Sequence, residues 1–449
     1  MKHKKPRKFI ASLLILLVVS ALFLTGCGSQ NTEGSSTTKD GKTTLVMWTF
    51  VKEHADYWKD AAKTWNKSHP KQQIDLKVSV LPFAQMFQKL QVALNSGSGA
   101  PDIADVEIGQ FANYTKNPDN VPFVDMTKEL KPYLPNLVKA RVDNYTVGGK
   151  IYGLDYHVGA NVVYYNMGIM KQAGIDPKTI KTWDDYVKAG QTVKEKTGKY
   201  MTSVETNADS VFTSMVSQQH SDVIKDGKSN FSSQVNEKTL QYLQDLEYKY
   251  HIAKQTEGGN QDNEQYYAAF NKGEYASVIM PAWYMSRMVD YMPKLKGKIE
   301  MTPMPVFNSG DQTSAGIGGT ATVVTNQAHD QDLATKFVVQ SKASKEGSLK
   351  TWTLLGFDPI NKQVWDMPQM KDPNNKYIQY FGPDVVDTLR SLIQNGQVGT
   401  LSYTNNAYPT VTDEFLTNGM PKIMQKDAPV DSTLKSVDEN ADKRLVSGK

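Results

Sequence analysis

The chain is 449 residues long, 39% hydrophobic and 22% charged, with 51 Lys and Arg against 47 Asp and Glu, 7 His and a single Cys. Five of the basic residues fall in the first 26 positions, which hold no acid, so the formal charge of +4 becomes −1 once that segment is set aside. The remainder is near neutral with both signs interspersed, which excludes the basic surface of a nucleic-acid binder, and one cysteine excludes an internal disulfide framework.

Lys2, Lys4, Lys5, Arg7 and Lys8 precede an apolar run from Phe9 to Leu24. At about 16 residues, that run has the size of a signal-peptide core and is short for a spanning helix. It ends in Leu24-Thr25-Gly26-Cys27, which resembles the lipobox of bacterial lipoproteins. The resemblance implies a signal peptide over 1–26, acylation of Cys27, and a protein held by lipid on the extracellular face of the cell membrane. The alternative, a buried structural thiol, fits poorly with a position directly behind a hydrophobic signal. Residues 27–42 are rich in Ser, Thr, Gly and Asn and read as a flexible tether. About 400 residues of ordinary globular composition follow, too many for one core and suited to two lobes.

Thr43 to Thr49 has the density of a buried strand. Tyr57, Ala61, Ala62 and Trp65 then recur at helical spacing up to His69-Pro70, where proline disfavours further helix. Ile74 to Val80 alternates with period two. Phe83, Phe87, Leu90 and Leu94 mark a second helix that stops in Asn95-Ser-Gly-Ser-Gly99, and Pro101 to Val106 returns to strand. This order predicts a parallel sheet with crossover helices and a ligand-facing edge at the carboxyl ends of the strands. Strands are expected at Lys150–Tyr156 and Asn161–Tyr165, on either side of Gly159, and helices at Trp183–Lys196, Asn236–Tyr250 and Gln265–Asn271. Pro303-Met304-Pro305 and Gly316 to Gly319 mark a return passage into a strand at Thr320–Thr325, and the chain from Gln331 onward reads as mainly helical. Two extended crossings predict lobes assembled from separate pieces, 43–157 plus 306–345 and 158–305 plus 346–449.

Tyr267-Ala-Ala-Phe270-Asn-Lys-Gly273-Glu-Tyr-Ala276-Ser-Val-Ile-Met280-Pro-Ala-Trp283 is the most specific internal block. It reads as a helix ending on Phe270, a turn at Gly273, a buried strand, and Trp283 emerging at its end. With Leu45-Val-Met-Trp48, Gly99-Ala-Pro-Asp102-Ile103, Gly149-Lys-Ile-Tyr-Gly153 and Thr182-Trp183-Asp184-Asp185, it resembles the family 1 extracellular solute-binding proteins, the sugar receptors of ABC importers. Within that family the chain is most similar to receptors for arabino-oligosaccharides in Gram-positive bacteria. The resemblance implies an α/β, two-lobed fold of the periplasmic-binding-protein type (type II), a cleft that closes on a sugar, ABC permease subunits as partners, a monomer, and no enzymatic activity.

A sugar ring offers apolar C–H faces and a rim of hydroxyls, so its receptor needs a flat aromatic surface and planar polar groups. Trp283 is the leading aromatic candidate, since relatives stack a sugar at that place in the block. Trp48, at the end of the first strand, is divided evenly between ligand wall and core, whereas Tyr57, Trp58 and Trp65 are expected in the core. Glu107 and Gln110 lie in the loop after the third strand, which lines the pocket in the family. Glu53 and His54 follow the first strand on the same edge. Asn161 stands at the first crossing, and Gly318 and Gly319 at the second, where they serve either close approach to a ligand or a hinge. Glu205, Asn207, Tyr403 and Tyr408 complete the candidates.

No H-E-x-x-H, paired cysteines or EF-hand loop is present, so neither a metal nor a cofactor is expected. Gly316-Ile-Gly318-Gly319 leads into a strand-like run, which excludes a dinucleotide loop. Two rival readings remain: an anchored glycoside hydrolase, and a receptor for a non-sugar solute such as glycerol phosphate. The second would want a cluster of Arg or Lys that the candidate positions lack.

Overall fold

The protein, seen in a computed structural model, is described for residues 38 and 40–447. The signal segment, Cys27 and most of the tether lie outside the described residues.

Strand β1 (Thr43–Thr49) is followed by helix α1 (Lys52–Ser68), β2 (Ile74–Val80), α2 (Phe83–Ser96) and β3 (Ile103–Glu107). The period-3.6 stripe of α1 buries Tyr57, Trp58, Ala61, Ala62 and Trp65 against the sheet, and α2 buries Met86, Phe87, Leu90 and Ala93 before ending on left-handed Gly97. β1 pairs in parallel with β2 from Thr43↔Ile74 to Thr49↔Val80, and with β3 at Met47↔Ile103 and Trp48↔Ala104.

After the first crossing, β4 (Asn161–Asn166) opens the second lobe. α3 (Trp183–Thr197) starts there on a capping box in which Thr182 and Asp185 exchange side-chain and backbone bonds. β5 (Thr202–Val204), α4 (Ser210–Gln218), α5 (Gln234–Tyr248) and β6 (Ala253–Gln255) follow. α6 (Glu264–Asn271) leads through Gly273 into β7 (Ser277–Pro281), then α7 (Met285–Tyr291) and β8 (Ile299–Thr302). β7 and β8 flank β4, both antiparallel to it. β9 (Thr320–Val324) re-enters the first sheet antiparallel to β3, giving the order β9-β3-β1-β2. The rest of the chain is mainly helical and includes α8 (Gln331–Ala343), α9 (Lys345–Leu355), α10 (Lys376–Phe381), α11 (Asp384–Gln394), α12 (Tyr408–Glu414) and α13 (Val430–Ser447). Trp58 in one lobe and Trp183 in the other are almost wholly buried and anchor the two cores.

Three expectations are corrected. Lys150–Tyr156 is not one strand: Lys150–Ile151 forms a small hairpin with Thr146–Val147, and Leu154 makes a lone bridge to Thr322. Gly153 lies so close to β9 that a Cβ there would stand 2.7 Å from that of Ala321. The return to the first lobe occurs near 316, not 306, because Val306 exchanges backbone bonds with Lys181 and Trp183 and Ser314 Oγ donates to the Asn161 carbonyl. Helix α9 belongs with the first lobe, where the Tyr57 hydroxyl donates to the carbonyls of Ser341 and Gly347 and Lys350 bonds Asp60 and Thr64 on α1.

At the crossings, Ala160 bridges Gly316 and the Ile317 amide donates to the Gly159 carbonyl at 2.9 Å. A third segment that the sequence did not announce, Phe357–Ile360, lies alongside, with Pro359 bridged to His157. There the Asp358 carboxylate accepts the amides of Gly159 at 3.1 Å and Ala160 at 2.8 Å. α10 then ties the lobes together, with Tyr377 bonded to Leu354 and Tyr380 to Met292.

Candidate functional site

A buried knot lies where the chain crosses between the lobes. Arg141 pairs with Asp155 and donates to the Gly318 carbonyl at 2.7 Å, while Asp155 also accepts the Tyr145 hydroxyl at 3.0 Å and the Thr320 amide at 3.1 Å. Burial alone would raise Asp155, but the Arg141 guanidinium, aided by His157 and Lys342, holds it down at about 2. Gly319, at φ +152°, runs so close over this knot that a Cβ would fall 2.6 Å from the Asp155 carboxylate and against Arg141. No side chain fits at this position, which is why glycine stands there.

Three parts of the chain converge beside it. From the first lobe, Glu107 ends β3 and caps the turn after it, accepting the Gly109 amide at 2.8 Å. Burial pushes its carboxyl up to about 7 against the pull of the Gly109 and Gln110 amides, with Asp155 and Asp209 adding to the rise. From the second lobe, Asp209 precedes α4 without capping it, and its Oδ2 is buried with no partner. Burial and the neighbouring Glu205 push it to about 7 as well. From the C-terminal segment, Tyr403 and Tyr408 pack edge to face at 5.1 Å, and the Tyr403 hydroxyl lies 3.4 Å from the Gly316 carbonyl. Tyr408 reaches Gly109, where a Cβ would stand 3.6 Å from its ring.

Trp283 follows β7 on a short turn, half-buried, with its indole N–H 3.4 Å from the Ile317 carbonyl and the Arg287 guanidinium 5.9 Å above its ring. Arg287 is held by Asp262 at 3.2 Å and also feels the charge of Glu53. The site therefore offers an aromatic plate and two carboxyls that are largely protonated below neutrality. A protonated carboxyl both donates and accepts, as a sugar hydroxyl does.

Of the expected residues, Glu107 and Tyr408 both approach Gly109, Trp283 lies against the Ile317 carbonyl, Gly319 runs over the Arg141–Asp155 pair, and Glu53 bears on Arg287. Gln110 lies beside Glu107, with its Oε1 accepting from Asn113 at 3.2 Å. Trp48, expected as either ligand wall or core, takes the core place: it packs with Val46, Phe87 and Ala104 under α2 and carries Lys89 at 4.1 Å over its ring. Strand alternation turns it away from the gap onto the face that α2 covers. Asn161 is also withdrawn, 1% exposed and donating to Ser214. His54 is spent on Asp105 at 3.1 Å, Glu205 on Ser210 and Gln261, and Asn207 on Gly258. Asp209, Arg141, Asp155 and Arg287 escape sequence reading. Asp209 alone left a signal, an acidic residue just before an apolar helix, and that pattern reads first as a cap.

Residues 52–339 match the family described as bacterial extracellular solute-binding protein. An arabinooligosaccharide-binding protein of Bacillus subtilis (strain 168) is 44% identical over 380 residues, 84% of this chain and 85% of that protein. One of the same description from Halalkalibacterium halodurans is 42% identical over 382 residues, 84% of each. Among solved structures, the sugar-binding protein MalE from the phytopathogen Xanthomonas citri superposes with a TM-score of 0.74 at 19% identity, over 90% of this chain and 98% of that one.

Proposed function

The chain belongs to the bacterial extracellular solute-binding protein family, and on that premise we propose that it is a lipid-anchored receptor that closes around an arabino-oligosaccharide and presents it to an ABC importer. The observation that carries this reading is what meets where the lobes cross: Trp283 against Ile317 and Gly318, Tyr403 at the Gly316 carbonyl, and Glu107, Asp209 and Tyr408 near one another. A ligand bridging these walls makes contacts that exist only in the closed form, and so shifts the hinge equilibrium. Moving it from about 1:99 to 99:1 takes about 5.5 kcal/mol of differential affinity, within reach of several hydrogen bonds and one or two stacked rings. The 44% identity to a receptor for arabino-oligosaccharides supports the choice of sugar. Cys27 supplies the anchor, residues 28–42 the tether, and the receptor works as a monomer.

The paired carboxyls Glu107 and Asp209 are the feature that favours hydrolysis instead. Glycosidases need two carboxyls with separated pKa values, one acid and one base; here burial drives both upward and neither is held down as a base. Calorimetry with arabino-oligosaccharides, followed by chromatography of the recovered glycan, tests the reading. Saturable heat and intact sugar are expected; absence of binding to every glycan, or shortened products, overturns it.

A further inference from the structure

A separate pocket of about 270 Å³ opens on the first lobe, and six carboxamides line it. Gln91 and Asn95 come from the end of α2, Asn113, Asn117 and Asn120 from the chain after β3, and Asn326 from the turn after β9. The sheet register sets its place. β9 runs antiparallel to β3, so Thr320 pairs with Glu107 on the crossing side and Val324 with Ile103 at the other end of the strand. Asn326 follows Val324 by two residues, and α2 ends on that same side before the chain enters β3 at Ile103. The length of β3 puts roughly 13 Å between the two edges.

The walls are tied to one another. Gln327 Nε2 donates to the Ala93 carbonyl at 2.9 Å and its Oε1 accepts the Ala100 amide at 3.0 Å, which fixes the turn after β9 against the end of α2. The Asn326 amide donates to the Pro122 carbonyl at 3.0 Å and the Asn120 amide to the Asn117 carbonyl at 3.1 Å. Tyr114 also lines the pocket, with its ring packed 5.5 Å from Phe123.

A carboxamide presents one acceptor and two donors in a plane, the pattern that pairs with neighbouring hydroxyls. Little of this capacity is spent on the protein. Gln91 Nε2 donates to Asn95 Oδ1 at 3.3 Å, Asn113 Nδ2 to Gln110 Oε1 at 3.2 Å, and Asn117 Oδ1 accepts the Asp119 amide at 3.1 Å. Among the described residues the lining carries one charge, Lys116, and no carboxylate. A divalent cation calls for carboxylates and a phosphate for several cations, so the chemistry suits a neutral polyhydroxylated ligand.

We infer that this pocket is a second binding site, taking a neutral sugar unit independently of the residues where the lobes cross. The inference does not rest on the receptor reading above. Saturation-transfer NMR titrations of the mature protein with methyl α-L-arabinofuranoside, D-galactose and N-acetyl-D-glucosamine test it. At least one sugar is expected to bind with a dissociation constant of about 1 mM, the weak affinity of a small open pocket. That affinity should stay within about twofold in Trp283→Ala and with arabino-oligosaccharide added, and fall at least about fivefold in the Asn117→Ala and Asn326→Ala double variant. Asn326→Asp keeps the side-chain shape, replaces two donors with a charge, and should also weaken binding, which keeps the test valid should the double variant melt early. No saturable signal with any of the three sugars, loss of the signal in Trp283→Ala, displacement by arabino-oligosaccharide, or unchanged affinity in both asparagine variants overturns the site. Inorganic phosphate displacing the sugar would assign the pocket to Lys116 and overturn it equally. Failure of arabino-oligosaccharide to bind anywhere sinks the receptor reading alone, because the readout here follows Asn117 and Asn326.

Discussion

Arg141→Met is the most searching test of the hinge floor. The Arg141 and Asp155 side chains are 1% and 0% exposed, and Asp155 accepts from Arg141, Tyr145, Thr320 and the Tyr156 amide at 2.8 Å. Its carboxyl lies at about 2 against an ordinary 3.8, a shift worth about 2 kcal/mol by linkage. Methionine keeps much of the stem and removes the cation, and breaking a buried pair from one side costs about 3–5 kcal/mol. A carboxyl held below its unfolded value stabilises the protein above 3.8 and loses that contribution as pH falls toward 2. Without the guanidinium, burial dominates and the Asp155 carboxyl rises above 3.8, so the variant suffers at neutral pH and is relieved as acid protonates it. Thermal melts of both proteins at about pH 7 and about pH 4.5 should show a wide gap in Tm that narrows in acid. A gap of equal size at both would refute the reasoning, since loss of packing alone does not titrate.

Trp283→Ala should weaken the best sugar by at least about a hundredfold in calorimetry, in line with a stacking anchor of about 2–4 kcal/mol, while the unliganded Tm moves only a few degrees. Trp48→Ala should do the reverse, costing about 3–5 kcal/mol in denaturant unfolding of the first lobe with affinity nearly kept. Glu107 and Asp209, raised to about 7, stabilise fully below their unfolded values and lose that contribution as pH rises through 7. The Glu107→Gln and Asp209→Asn double variant should therefore flatten the fall in Tm between pH 5 and 8; an unchanged slope would place the effect elsewhere. Gly319→Ala drives a methyl into Arg141 and Asp155 and should lower Tm sharply, whereas a neutral outcome would mean that the hinge floor yields. Cys27→Ser should release the protein from the membrane into the medium, as fractionation would reveal.

Much of this protein is written in local pattern. The stripe of Tyr57, Ala61, Ala62 and Trp65, the period-two run from Ile74 to Val80 and the cap at Thr182 and Asp185 each depend on residues within a few positions of one another, so their structures follow from spacing and sterics. The block ending in Trp283 belongs with them, because a helix, a glycine turn and a strand deliver the indole to a sheet edge by themselves. The knot of Arg141, Asp155 and Gly319 and the meeting of Glu107, Asp209 and Tyr408 are different in kind. Their members lie tens to hundreds of residues apart, and a buried charge or a raised carboxyl is created by what surrounds it. Trp48 shows the limit from the other side: its position on the strand was legible, yet which face would be covered depended on where α2 came to rest.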